Sequence, residues 1–303
     1  MREFPEFKKE LNLPSGARIE RDDNRSSAVP PALSIIVPSR DGSGGGLIER
    51  LKSDLKKQSF KDYEFILVIG DNRQGRAINN GVRSARGRII MTMDDDTVLL
   101  LTELLERIVA VIDADPKIGM AGASCIVPPD ASDFQHRACR EIPRRFFPVL
   151  PATADSDMVQ HPCLAMPKKV FEEVRGEDEE LIRGLDPLLR YKVRLAEYRV
   201  VIVGRTAIAH MLPPNFPAVL KQYARNGRGS AFARKYFANR IYESARGFEG
   251  DAFEPVRPLW FRAFRKCGAM ILSAARMEYI RLGAELAYTF GYISEYLFGS
   301  EKP

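Results

Sequence analysis

The chain has 303 residues, 45% of them hydrophobic, with a formal net charge of +6. That supports a true core in one large domain or two small ones, and the basic balance favours acidic partners such as phosphates, anionic lipid or nucleic acid. The charged N-terminus lacks a signal-peptide core, no uncharged apolar run is long enough to span a membrane, and Cys125, Cys139, Cys163 and Cys267 have no CxxC spacing, which argues against a zinc site or disulfide framework and fits a reducing cytoplasm.

Residues 1–31 are polar and carry Pro5, Pro14, Pro30 and Pro31, so they are expected to form a loosely docked arm. Leu33-Ser34-Ile35-Ile36-Val37-Pro38 is a nearly continuous apolar run, the pattern of a strand in a parallel sheet. It stops at Ser39-Arg40-Asp41 and is followed by Gly42 to Gly46, without GxGxxG or Walker spacing. That stretch reads as a flexible loop more readily than as a phosphate-binding turn. A helix is predicted from Leu47 to Gln58. Tyr63 to Gly70 is a second buried strand, ending at Asp71, and the next helix is expected to close at Gly87.

The stretch Ile89-Ile90-Met91-Thr92-Met93-Asp94-Asp95-Asp96-Thr97 begins as a strand and ends in three carboxylates. Strand alternation puts Asp94 and Asp96 on one face and Asp95 on the other. Two converging carboxylates at a strand end suit a hard divalent cation. The alternative is a solvated acidic turn capping the next helix, expected over Leu99 to Ala114. Strand, helix, strand, helix, strand in this order predicts a doubly wound α/β half-sheet.

The succession Val37-Pro38-Ser39-Arg40, Asp71, Ala77-x-Asn79-x-Gly81 with Ala85-x-Gly87, and Met93-Asp94-Asp95-Asp96 resembles the nucleotide-sugar half of a family 2 glycosyltransferase of GT-A fold. The resemblance runs from about Leu33 to Met211. It departs at Gly70, where the family often has an acid, and at Ile78, where it often has Arg. It implies a doubly wound, mostly parallel sheet with flanking helices, and a nucleoside-diphosphate sugar as donor. Pro38, Ser39, Arg40, Asp71, Asn79, Asp94 and Asp95 would lie on the donor side, with Asp71 at the nucleobase and Asp94 at the nucleotide. Asp96 would hold Mg²⁺ or Mn²⁺ on the diphosphate.

Further on, Gly119 to Val127 is predicted as a strand, and 128–154, with Arg137, Arg140, Arg144 and Arg145, as a loop that is either solvated or borders an acceptor groove. Glu177-Asp178-Glu179-Glu180 reads as a solvated surface turn. Asp186-Pro187 opens a helix, where Asp186 could be an N-cap. The resemblance makes Asp186, with Leu189, Lys192 and Tyr198 behind it, the catalytic base, although Leu185 replaces the acid that usually precedes it. It also brings His210, at the end of two predicted strands (199–204 and 206–210), toward the metal. His136 and His161 receive no role.

The basic segment Gln222 to Tyr236, with Arg225 and Arg228, either closes over the diphosphate, Arg228 being the residue assigned to it, or is a solvated face. Trp260, Phe261 and Phe264 share a helical face ringed by Arg262, Arg265 and Lys266. Residues 270–298 form an apolar helical stretch that docks on the core or lies at an anionic membrane surface.

The reading is an inverting, metal-dependent glycosyltransferase acting on a glycan or lipid-linked acceptor, cytoplasmic or peripheral on the inner membrane face. The expected division is an arm (1–31), a GT-A domain (32–212, with a donor half 32–127 and an acceptor half 128–212) and a C-terminal helical extension (213–303). The alternatives are a nucleotidyltransferase on a similar fold, or a non-catalytic protein that binds nucleotide sugars or anionic membrane. No nucleic-acid recognition motif is present.

Overall fold

The computed structural model describes residues 4–23, 29–142, 148–210, 212–241 and 258–299. Arg144, Arg145 and Met211 lie outside them, as does the side chain of Arg262.

Nine strands form one sheet among the described residues. The first belongs to the N-terminal arm, where Arg18–Asp22 (β1) is a strand rather than loosely docked chain. Leu33–Ser39 (β2), Tyr63–Ile69 (β3) and Ile89–Thr92 (β4) follow, linked by helices Leu47–Lys56 (α1) and Gln74–Ser84 (α2). β3, β2 and β4 lie side by side and parallel, and β1 pairs antiparallel with β3. Leu33, Ile35 and Val37 pack with Leu51 and Leu55 of α1. Ile36, Ile66 and Val68 face the opposite way, onto Ile78 and Val82 of α2. Both faces are covered, which is why these strands read as unbroken apolar runs. Gly87 does not cap α2. A Cβ there would strike Ser34, whose hydroxyl accepts from the Gly87 N–H at 2.8 Å, so close approach and not helix termination requires the glycine.

After Asp96 the chain does not enter a helix. Thr97–Leu99 is a short strand (β5), and the helix begins later, at Leu104–Ala114 (α3). Ile118–Ile126 (β6), Ala154–Asp155 (β7), Leu164–Pro167 (β8) and Arg199–His210 (β9) complete the sheet, in the order β1-β3-β2-β4-β8-β6-β9-β5 with β7 on β9. β8 runs antiparallel between β4 and β6, and β6 and β9 are parallel. β2, β3, β4, β6 and β9 therefore share one direction. The two strands expected over 199–210 are a single strand, and an irregularity in its pairing with β6 falls between Ile202 and Ala207.

The stretch 128–154 holds a helix, Asp133–Glu141 (α4), closed by reciprocal bonds between Ser132 and Gln135. Lys168–Glu173 (α5) and Leu185–Leu195 (α6) cover the α2 side of the sheet, and Phe216–Phe237 (α7) follows. The C-terminal stretch is two helices, Leu259–Ala275 (α8) and Tyr279–Phe298 (α9), broken where Met277 adopts a φ of 55°. α9 docks on the core. A Cβ on Gly227 of α7 or Gly291 of α9 would collide with the other helix's backbone, and Ile280 and Ala284 are buried against Val219 of α7 and Ala138 of α4. α8 stays largely exposed.

Candidate active site

The carboxyl ends of β2, β3 and β4 open onto a cleft of about 780 Å³, the edge and the size expected of a small-molecule site in an α/β sheet (about 300–1,000 Å³). Pro38, Ser39 and Arg40 line it from β2, Asp71 from β3, and Asp94, Asp95 and Asp96 from the segment after β4.

The three acids lie beyond the strand, in a turn closed by the Thr97 N–H donating to the Asp94 carbonyl at 3.1 Å. β5 then carries the chain back along β9 and sets Thr97 opposite His210. As a result His210 Nε2 stands 3.0 Å from Asp96 Oδ1 and 3.4 Å from Asp94 Oδ2. Asp95 points elsewhere and accepts from Ser39 Oγ at 2.9 Å. Burial pushes its pKa up. The expected separation of Asp94 and Asp96 from Asp95 is present, but a turn produces it, not strand alternation.

Asp94, Asp96 and His210 are the one group among the described residues whose ligand atoms lie within 4.8 Å of one another. Two carboxylates and an imidazole are donors that fit Mg²⁺ or Mn²⁺. Burial works against a charge on His210, but its hydrogen bonds to Asp94 and Asp96 and their charges outweigh it, raising its pKa to about 10. A ligating imidazole is neutral, so metal entry would have to displace this proton.

Asp71 is gripped by Arg76, whose Nε and Nη2 donate to its two oxygens at 2.9 Å, and by the Arg73 N–H, also at 2.9 Å. Three of about four acceptor positions on the carboxylate are thus taken, and the side chain is fully buried. The Gly42–Gly46 loop is no phosphate cradle. The N–H groups of Ser43 and Gly44 already donate to Asp41 Oδ1 at 2.8 and 2.9 Å, and these bonds hold the Asp41 pKa down.

Asp186 lines the same cleft. It is not the N-cap of α6. Gly184, with φ 87°, holds that position, and Asp186 sits in the first turn. Its Oδ1 accepts from the His161 backbone N–H at 2.8 Å. Behind it Lys192 is buried with Nζ donating to the Gly176 carbonyl at 2.8 Å, and Tyr198 donates to Glu173 at 2.9 Å. These residues brace the loops around Asp186.

Two expected donor residues do not reach the cleft. Asn79 is buried and clamps the loop after α5. Its Oδ1 accepts from the Glu177 N–H at 2.9 Å, and its Nδ2 donates to the Glu177 carbonyl at 3.0 Å. Arg228 is exposed, one turn beyond Arg225, and Arg225 is the α7 arginine on the cleft wall. Gln74, His161, Arg183 and Gln222 also line the cleft without having been singled out by sequence. Gln222 and Arg225 share a helix face at i, i+3, the one signal that could have separated Arg225 from Arg228. The acidic run at 177–180 is not a solvated turn. Glu177 and Asp178 are buried, because α5 and the loop after it fold back onto α2.

Residues 36–175 match the sequence family described as Glycosyl transferase family 2. Over that span the chain is similar to family 2 glycosyltransferases. A solved mannosyltransferase from Pyrobaculum calidifontis, PcManGT in complex with GDP-Man and Mn²⁺, superposes over 90% of this chain and 89% of its own at 15% identity, with a TM-score of 0.53. Staphylococcus TarS 1–349 (S. aureus) covers 86% of this chain and 90% of its own at 15% identity, with a TM-score of 0.45. Among curated proteins, none matches the chain significantly. The family 2 domain has the GT-A fold, and its chemistry is sugar transfer.

Proposed function

We propose that this chain is an inverting, divalent-metal-dependent glycosyltransferase that moves a sugar from a nucleoside-diphosphate sugar to the hydroxyl of a glycan or lipid-linked acceptor. One observation carries the reading: Asp94, Asp96 and His210 lie in the same cleft as Asp186, which the chain holds by a backbone hydrogen bond. Pro38, Ser39, Arg40 and Asp71 bound the donor side, with Asp71 facing the base. A divalent ion held by Asp96, Asp94 and His210 would supply neutralisation of the diphosphate leaving group. Arg225 borders the same region from α7. Asp186 takes the proton from the acceptor hydroxyl, whose oxygen attacks the anomeric carbon opposite the diphosphate. The bond to the diphosphate oxygen breaks as the new glycosidic bond forms, and configuration inverts. The base must lie within about 3 Å of the hydroxyl. The Mn²⁺ complex of the P. calidifontis enzyme supports the choice of donor class and ion. A nucleotidyltransferase would normally carry a Gly-rich, Arg/Lys-containing first loop, of which Ser39 to Gly44 is a poor version, and a purely binding protein needs no proton acceptor at Asp186.

The same reading assigns 32–212 to catalysis and 213–303 to a helical extension, with 1–31 an arm. It places the protein in the cytoplasm, peripheral on the inner membrane face. None of the four cysteines is in a disulfide, which fits a reducing compartment. No described helix is long and apolar enough to cross a membrane. Turnover should be screened over nucleotide sugars with Mn²⁺, and Asp96→Asn compared with the parent. The expected result is loss of turnover in the variant and in excess EDTA, with the melting temperature of the variant close to that of the parent. Full parental activity in EDTA would refute metal dependence.

A further inference from the structure

Beside Asp186 lies a buried ion pair that the chemistry above does not use. His161 is 3% exposed and Glu177 4%. Hydrogen bonding determines the charge of the ring. Thr92 has a single O–H, and it donates to the His161 carbonyl at 3.1 Å. Its oxygen is left to accept from His161 Nδ1 at 3.2 Å, so Nδ1 carries a proton. Nε2 faces two carboxylates, Glu177 Oε1 at 3.2 Å and Asp186 Oδ1 at 3.8 Å, so it carries one too. The ring is an imidazolium. Burial opposes that charge, but Asp186, Glu177 and the more remote Asp94 outweigh it and raise the pKa to about 9.

As a stabilising device the pair is poor. Apart from the His161 Nε2 contact at 3.2 Å, neither Glu177 carboxylate oxygen has a hydrogen-bond partner among the described residues. Desolvation of two charges exceeds their attraction unless such bonds satisfy them, and an apolar pair of similar volume would serve the core at least as well. What the pair does have is an address. His161 lines the cleft and meets Asp186 twice, through its backbone N–H at 2.8 Å and through Nε2, both on Oδ1.

We propose that His161, held as an imidazolium by Glu177, is a positioning residue that fixes the carboxylate of Asp186 for attack by the acceptor. The proposal rests on the reading of Asp186 as the general base. A misplacement of about 1 Å in such a group costs about 10²-fold in rate, which sets the expected effect.

The test compares His161→Leu, the double variant His161→Leu/Glu177→Leu, and Asp186→Asn in the full chain. The single His161→Leu leaves Glu177 buried without the imidazolium, with Lys192 as a cationic neighbour, and should melt early. The double variant removes both charges and should recover the melting temperature. The expected result is recovery of stability without recovery of turnover, with kcat about 10²-fold down and the donor KM unchanged. A folded double variant with parental kcat overturns the proposal. Should the double variant fail to fold, Glu177→Gln carries the test. It keeps the shape but weakens the hold on the imidazolium, so the alkaline limb of the kcat profile should move to lower pH. An unmoved profile overturns the proposal equally. Parental turnover in Asp186→Asn would instead remove the base reading itself. An inactive Asp186→Asn beside a fully active double variant would refute the positioning role alone.

Discussion

Replacing Asp186 by Asn separates a chemical role from a structural one. The amide is nearly isosteric, and its carbonyl can still accept the His161 N–H now donated at 2.8 Å. The helix cap is untouched, because Gly184 holds it. What the fold loses is a negative charge in the first turn of α6, worth about 0.3–1 kcal/mol, and its attraction to the His161 ring at 3.8 Å. The Asp186 side chain is 31% exposed, so solvent screens part of that attraction. A loss of about 1 kcal/mol moves the melting temperature of a domain this large by roughly 2–4 °C. Removing a general base costs about 10²–10⁴ in rate, or roughly 2.7–5.4 kcal/mol at about 1.36 kcal/mol per decade. The chemical effect is therefore several times the structural one. Initial rates of sugar transfer at saturating donor, nucleoside-diphosphate affinity by titration, and a thermal melt measure the three quantities separately. A folded Asp186→Asn protein that turns over within about threefold of the parent, far short of the loss expected for a base, would refute the assignment.

The buried imidazolium also predicts a pH dependence of stability. His161 has a folded pKa of about 9 against about 6.5 in an unfolded chain. The folded state thus holds the extra proton in that interval, and the contribution is complete below about pH 6.5 and lost as pH rises through about 9. Melting temperature should fall across that interval more steeply in the parent than in His161→Leu/Glu177→Leu, and equal slopes would contradict the charge assigned to His161. A further prediction concerns α8, where Trp260, Phe264 and Ile271 are exposed and no acid occurs from Pro258 to Met277. Lys266 turns inward to Glu285 at 2.5 Å, and among the described side chains Arg265 of α8 and Arg276 at its C-cap are exposed bases. The protein should float with anionic liposomes at low salt and detach as salt rises, since each base near such a surface is worth about 1 kcal/mol. Failure to float at low salt would restrict α8 to contacts within proteins.

The strands from β2 to β4 were legible because their signals are local. β2, β3 and β4 are buried on both faces, so hydrophobicity alone marks them, and each ends where its chain meets a turn at Ser39, Asp71 or Asp94. Residues whose placement depends on distant partners were not legible. Thr97–Leu99 lies beside an acidic turn and reads as the start of a helix, and only pairing with β9 makes it a strand and brings His210 to Asp94 and Asp96. Glu177 looks solvated in a run of four acids, and it is buried because Asn79 of α2 ties down its backbone and His161 faces its carboxylate. His161 has no distinguishing neighbours in sequence. Its environment is assembled from β4, the loop after α5 and the start of α6, three segments far apart in the chain. The sequence by itself determined the strands and their carboxyl-end acids, through period and residue type, and its resemblance to family 2 glycosyltransferases implied the class of chemistry. Tertiary structure decided which of the candidate side chains share the cleft, because charge pairing and burial depend on distances that no local pattern encodes.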